Sequence, residues 1–242
     1  MIGCDCEVCR SNDPRDRRWR PSAYLELPDG KCVLIDTSPD LRIQAMTYGV
    51  SRVDAIRFTH CHADHVMGLD EVRRFNLLQG AAIPCYGNAR TVEEIRRTFR
   101  YIFEATEVGG GIPRIHLFAL GGAFCLGRQA ILPVPVLHGG REVLGFRVGG
   151  VAYLTDCNQI PERSWPLLEG LDVLVLDALR HRPHPTHFTV AEALVVAERL
   201  RPARTLLTHI CHDLPHAATC AALPPGVELA YDGLAIPLTP GP

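Results

Sequence analysis

The sequence predicts a mixed α/β (α+β) fold in which two sheets pack face to face with helices outside them, four layers in the order αββα. Three observations lead there. Short apolar runs of strand type recur along most of the chain. Helical segments, two of them with paired capping residues, are set between those runs. Several runs stop abruptly on His or Asp, as strands do at a sheet edge where loops gather.

Taken in order, Ala23 to Leu27 and Cys32 to Ile35 flank Pro28-Asp29-Gly30 and predict a β-hairpin. Val53 to Phe58 is a strand running into His60. Asp70 to Leu78 is helical, and Thr91 to Phe103 is a helix opened by a Thr91–Glu94 capping box. Gly109-Gly110-Gly111 is a loop. Strands follow at Phe124 to Leu126, Ala130 to Leu137, Leu144 to Val148, Ala152 to Leu154 and Val173 to Leu176. Thr189 and Glu192 cap a helix to Leu200. Thr205 to Leu207 is a strand ending at His209, and Val227 to Tyr231 with Leu234 to Ile236 predicts a last hairpin across Asp232-Gly233.

The 242 residues suit one domain over 1–242, with a polar N-terminal cysteine segment at 1–20. A content of 47% hydrophobic and 21% charged residues excludes disorder, and a net charge of −2 excludes a strongly basic nucleic-acid binder. No apolar run is long enough for a membrane span, and no secretory leader is visible, so the expected compartment is the cytoplasm. There, 10 cysteines and 11 histidines point to metal binding before disulfides.

Thr59-His60-Cys61-His62-Ala63-Asp64-His65 places three imidazoles and a carboxylate at the end of a strand. In such a loop His60 and His62 can grip one cation, and Asp64 and His65 a second. His138, Asp156 and His209 each follow an apolar run and complete a set of seven N/O donors. Two divalent metals about 3.5–4 Å apart can share a water and lower its pKa to roughly 7, which makes a bridging hydroxide the expected nucleophile. Zn, Mn and Fe all suit these ligands.

Cys4-x-Cys6-x-x-Cys9 offers three soft thiolates suited to Zn, and a closed site needs a fourth ligand from elsewhere. His212 is the first choice, with Cys211, Cys220 and His216 as alternatives. Arg141, just past His138, is a candidate phosphate clamp. The run Arg10, Arg15, Arg17, Arg18 and Arg20 is interleaved with Asp13 and Asp16 and reads as a solvated loop.

The motif H-C-H-A-D-H with His138, Asp156 and His209 resembles that of the metallo-β-lactamase superfamily. The resemblance implies the αββα sandwich and a dinuclear centre. His60, His62 and His138 would hold one metal, Asp64, His65 and His209 the other, and Asp156 would bridge. G-C-D-C-E-V-C and T-H-I-C-H further resemble the subgroup that includes the phosphoribosyl 1,2-cyclic phosphate phosphodiesterase of the carbon–phosphorus lyase pathway. That likeness implies a structural zinc on Cys4, Cys6, Cys9 and His212, two catalytic Zn or Mn ions, and His187 as proton donor to the leaving oxygen. It also implies a first β-strand and Gly-rich turn ahead of the cysteines, which a chain beginning Met1-Ile2-Gly3-Cys4 lacks. The expected activity is metal-dependent hydrolysis of a small phosphodiester such as a cyclic sugar phosphate, with Asp64 and His187 in catalytic roles and a homodimer admitted. Rival readings are an RNA or nucleotide phosphodiesterase of tRNase Z type, for which no exosite arm or basic stripe is visible, and a non-catalytic binder similar to pyrroloquinoline quinone synthesis protein B.

Overall fold

A computed structural model of the chain describes residues 1–104, 111–122, 124–126 and 129–237. It divides into two compact units, one of Arg20–Gln129 and one of Met1–Trp19 with Ala130–Pro242. Each has its own sheet and its own core.

In the Arg20–Gln129 unit, β1 (Ala23–Glu26) and β2 (Cys32–Ile35) pair antiparallel as the hairpin that Asp29-Gly30 predicts. The strands β3 (Ala55–Arg57), β4 (Ile83–Gly87) and β5 (Ile115–Ala119) then add in parallel, in the order β1-β2-β3-β4-β5. Parallel neighbours need crossovers, and helices supply them. These are α1 (Leu41–Tyr48), α2 (Ala63–Val66) with α3 (Val72–Gln79), and α4 (Ala89–Thr98) with α5 (Arg100–Phe103). Leu34, Ile56 and Cys85 of the sheet pack with Val72 and Phe75 of α3 and Ile95 of α4. All four residues of β2 are buried, which explains its unbroken apolar run. Because β2 to β5 run the same way, their C-terminal ends share one edge, and the loop carrying His60 to His65 follows β3 there.

In the other unit, β7 (Gln129–His138), β8 (Arg141–Val148) and β9 (Val151–Leu154) form an antiparallel meander. The strands β10 (Val173–Asp177), β11 (Arg204–Thr208) and β12 (Val227–Leu229) extend it in parallel with β9. A short strand β6 (Phe124–Leu126), which falls within the Arg20–Gln129 stretch, precedes β7 in the chain. Two antiparallel steps restore direction, so β7 ends at the same edge as β9, β10 and β11. His138, Asp156, Asp177 and His209 therefore gather at one edge although 71 positions separate the first from the last. The helix α6 (Val190–Leu200) opens on the expected Thr189–Glu192 capping box and buries Val190, Ala193 and Val196 against Leu174 and Leu207. The helix α7 (His216–Ala222) follows β11. The cysteine segment belongs to this unit. Arg18 Nη1 donates to Cys211 O (2.6 Å), His216 N to Asp16 Oδ1 (2.8 Å), and Trp19 N to Asp232 Oδ2 (2.9 Å).

Two sequence expectations are corrected. The capping box Thr91–Glu94 does not form. Asn88, the first extended residue after β4, caps α4 by accepting from Thr91 N (2.8 Å), which puts Thr91 inside the helix. No final hairpin closes across Asp232-Gly233 either. Asp232 is taken up by Trp19, and β12 pairs with β11 instead. Gly109 and Gly110 of the expected loop lie outside the described residues.

Gly68 closes the His60–His65 loop. Its N–H donates to Thr37 O (2.9 Å), and a Cβ there would stand 1.9 Å from Ser38 O and 2.9 Å from Ser38 C. Backbone, not a flexible side chain, blocks the space. Gly68→Ala is therefore expected to destabilise by about 2–3 kcal/mol, a fall in Tm of roughly 4–12 °C. An unchanged calorimetric Tm would show that the Ser38 turn yields freely.

Candidate metal centre

The residues singled out in the sequence fall into three groups, one on the Arg20–Gln129 unit and two on the other. On the first unit, the ring of His60 lies 4.5 Å from that of His62 and 4.3 Å from that of His65, centroid to centroid. His65 Nε2 is 3.6 Å from Asp64 Oδ2. The orienting group is one the sequence reading passed over. Asp36, fully buried after β2, accepts from Thr59 N (2.8 Å), Thr59 Oγ1 (2.7 Å) and His65 Nδ1 (2.8 Å). Burial pushes the Asp36 carboxyl up, while the His65 ring and the two Thr59 donors pull it down. With Nδ1 committed to Asp36, His65 presents Nε2 beside Asp64, the arrangement by which a carboxylate orients a ligating imidazole.

On the other unit, Asp156 lies among three imidazoles. His209 Nε2 is 3.3 Å from Asp156 Oδ1, and His138 Nε2 is 3.8 Å from Asp156 Oδ2. His187 Nε2 is 4.0 Å from Asp156 Oδ2. The Nδ1 atoms of two of these rings again face oxygen acceptors: His138 Nδ1 meets Thr186 O (2.7 Å), and His187 Nδ1 meets Asp177 Oδ2 (2.7 Å). Asp177 Oδ2 also accepts from Cys157 N (2.8 Å). His187 stacks on His209 at 4.7 Å and is 8% exposed, so it belongs to this cluster and is not a surface histidine.

The backbone at these strand ends is bent to deliver the side chains. Asp36, Asp156 and His209 have φ of 64°, 52° and 54°, a left-handed region that costs non-glycine residues of order 1–3 kcal/mol. The turn Gly139-Gly140 between β7 and β8 has positive φ at both positions, as a two-residue hairpin turn requires. A Cβ on Gly139 would meet Thr186 Cγ2 at 2.5 Å, so only glycine lets the 185–187 loop reach His138. Arg141 is exposed at the start of β8, directly opposite His138 in register.

The third group is the cysteine cluster. One ligand atom each from Cys4, Cys6, Cys9 and His212 lies within 4.8 Å of the others. Cys4 Sγ and Cys6 Sγ are each 3.3 Å from His212 Nδ1. Cys211, Cys220 and His216 stay outside the group. Cys220 contacts His216 instead, at 3.8 Å. The Cys9 N–H and the His212 ring lower the Cys6 thiol to about 6, so it is ready to ligate as thiolate. Three thiolates and one imidazole fit a tetrahedral zinc, and the N/O donors fit borderline divalent cations.

Asp36 and Asp177 are the histidine-orienting residues the sequence reading missed. Both carried the signal that found Asp156, an acid closing an apolar strand, as Ile35-Asp36 and Leu176-Asp177 show.

Comparison with known proteins gives the arrangement a context. Residues 31–210 match the model of the Beta-lactamase superfamily domain. A crystal structure of a diphosphatase from the PhnP family superposes with a TM-score of 0.90 at 47% identity, covering 97% of this chain and 89% of that one. An octanoyltransferase from Porphyromonas gingivalis is 33% identical over 96% of this chain, which spans about half (48%) of that relative's length. A ribonuclease Z from Pyrobaculum neutrophilum is 25% identical over 90% of this chain and 92% of its own length. The fold is the mixed α/β metallo-β-lactamase αββα class that the element order predicts.

Cys6→Ser is expected to lower zinc by one equivalent per chain in elemental analysis and to lower the Tm, because a structural zinc contributes its binding energy to folding. Unchanged zinc content would remove the cysteine cluster from the metal sites.

Proposed function

The chain belongs to the β-lactamase superfamily, and on that premise we propose that it is a metal-dependent phosphodiesterase acting on a small molecule, a cyclic sugar phosphate being the form its motifs favour. The observation that carries this reading is the pattern of imidazoles whose Nδ1 atoms are committed to oxygen acceptors, which leaves Nε2 as the ligating atom beside carboxylates. The superfamily motif assigns His60, His62 and His138 to one cation, Asp64, His65 and His209 to another, and Asp156 to both. The 47% identity to a diphosphatase supports phosphorus as the centre attacked.

Bound there, two divalent cations would supply Lewis acidity toward phosphate oxygens and a water acidified to a pKa of roughly 7. The chain's own residues do the rest. Asp177, itself fixed by Cys157 N, holds His187 by Nδ1 and keeps Nε2 on the Asp156 side. From there His187 delivers a proton to the departing alkoxide, a transfer suited to imidazole near neutral pH. Gly139 lets Thr186 O orient His138, and Arg141 offers an exposed cation to a phosphate oxygen. The similarity to a ribonuclease Z supports a second reading, a nucleotide or RNA phosphodiesterase. The net charge of −2 argues for a small substrate.

The experiment is turnover of bis(p-nitrophenyl) phosphate and a ribose 1,2-cyclic phosphate by protein stripped with chelator and then restored with Zn or Mn. Metal-dependent hydrolysis of both is expected, and turnover of neither defeats the reading. His187→Ala should lower kcat on the cyclic sugar phosphate by roughly 10²–10⁴-fold, with metal content unchanged. On the p-nitrophenyl ester, whose leaving group needs little protonation, the loss should be much smaller. Equal losses would make His187 a positioning residue.

A further inference from the structure

We propose that the Arg20–Gln129 sheet carries a stacking site for a planar heteroaromatic base, with the exposed ring of Phe118 as its floor. The proposal rests on the phosphodiesterase reading and adds to it a preference, among small phosphodiesters, for those that bear such a base.

Arg57 on β3 is paired with Tyr86 on β4, and Tyr86 with Phe118 on β5, so the three side chains form one lateral row on one face of the sheet. They are in contact. The Arg57 guanidinium lies 3.9 Å from the Tyr86 ring centroid, and the Tyr86 and Phe118 rings stack at 5.2 Å with 26° between their planes. The row runs from a cation that is 1% exposed to a ring that is 47% exposed. Single exposed apolar side chains are ordinary and mean nothing alone. Phe118 differs because its inner side is held by a second ring and a buried cation behind it. A ring already fixed loses little side-chain freedom when a third planar group stacks on it. Among the described residues β5 is the last strand in this sheet's order, so no further described strand lies beyond Phe118.

Position supplies the link to the reaction. The row sits at the C-terminal ends of β3, β4 and β5, the edge where ligands of parallel sheets bind. His60 lies three residues beyond Arg57 in the chain. Adjacent strands are about 4.8 Å apart, so Phe118 stands about 10 Å across the sheet from the strand that leads to His60. A base joined to its phosphate through one sugar has that reach. A polymer would need a further track of cations, and His116 and Phe118 are the exposed ring-bearing residues β5 offers.

The test uses the metal-loaded protein and its Phe118→Ala and Phe118→Tyr variants. Binding of adenosine 5′-monophosphate and of ribose 5-phosphate is measured by calorimetry, and kcat/KM is measured on adenosine 2′,3′-cyclic phosphate and on ribose 1,2-cyclic phosphate. Tighter binding of the base-bearing ligand is expected. Phe118→Ala should weaken it, and lower kcat/KM on the adenosine ester, by roughly 5- to 100-fold, with the ribose compounds unaffected and Phe118→Tyr near wild type. Equal effects on compounds with and without a base, or no effect on either, would overturn the stacking site while leaving the phosphodiesterase reading intact. Tighter binding of an oligoribonucleotide than of the mononucleotide would overturn the assignment to a small molecule. Absence of metal-dependent turnover of every ester would instead defeat the underlying reading, and the proposal with it.

Discussion

One buried carboxylate closes the loop on which the first half of the donor set depends. Asp36 takes hydrogen bonds from both donors of Thr59 at the loop's start and faces His65 Nδ1 at its end. The residues between, His60 to Asp64, are thereby closed onto a single anchor. The arrangement also constrains the anchor. A carboxylate with no solvent contact is costly unless its donors stay in place, and leaving a buried acceptor unsatisfied typically costs about 1–3 kcal/mol or more. The left-handed backbone at Asp36 is tolerated because the same contacts over-determine it. Thr37, next in the chain, accepts from Gly68 N, so the far side of the loop is tied to the same turn.

The other unit solves the same problem with a different connection. Asp177 does for His187 what Asp36 does for His65, and it too draws a backbone N–H, that of Cys157, to the same oxygen. Its strand, β10, lies between β9 and β11, which deliver Asp156 and His209. Central strands of a parallel set are the most rigid place from which to aim a side chain, because both neighbours fix their register. Each unit therefore offers imidazoles oriented from behind by groups that do not themselves need to touch a ligand.

The candidate donors were legible in the sequence because ligand chemistry uses few residue types and puts them at strand ends. His60, His62, Asp64, His65, His138, Asp156 and His209 could be picked out without a structure, and so could Cys4, Cys6 and Cys9. The orienting acids were harder to see, since Asp36 and Asp177 read as ordinary strand-terminal polar residues until their partners are known. Among the elements, those with one strong local signal were legible, such as the hairpin across Asp29-Gly30 and the box at Thr189. The strand β4 was not, because Ile83-Pro84-Cys85-Tyr86-Gly87 carries both Pro and Gly, which read as turn punctuation. At α4, two cap-type residues three apart competed, and the strand's end decided for Asn88 over Thr91. The last expected hairpin failed for a long-range reason. Trp19, more than two hundred positions away, takes Asp232, and no local pattern contains that contact.

The segment His209-Ile210-Cys211-His212 places two kinds of ligand chemistry three residues apart. His209 faces Asp156 among hard and borderline donors, and His212 faces the thiols of Cys4 and Cys6. The two donor sets differ in softness: thiols with one imidazole suit zinc, and imidazoles with carboxylates suit zinc or manganese alike. The two sites also share a mechanical element. Arg18 donates to the carbonyls of Cys211 and Leu214, and Cys211 N donates to Leu179 O, so the loop is clamped from the N-terminal segment on one side and from the chain following β10 on the other. With His209 held in a left-handed turn at the start of that loop, the N-terminal segment is tied through Arg18 to the stretch that carries both His209 and His212.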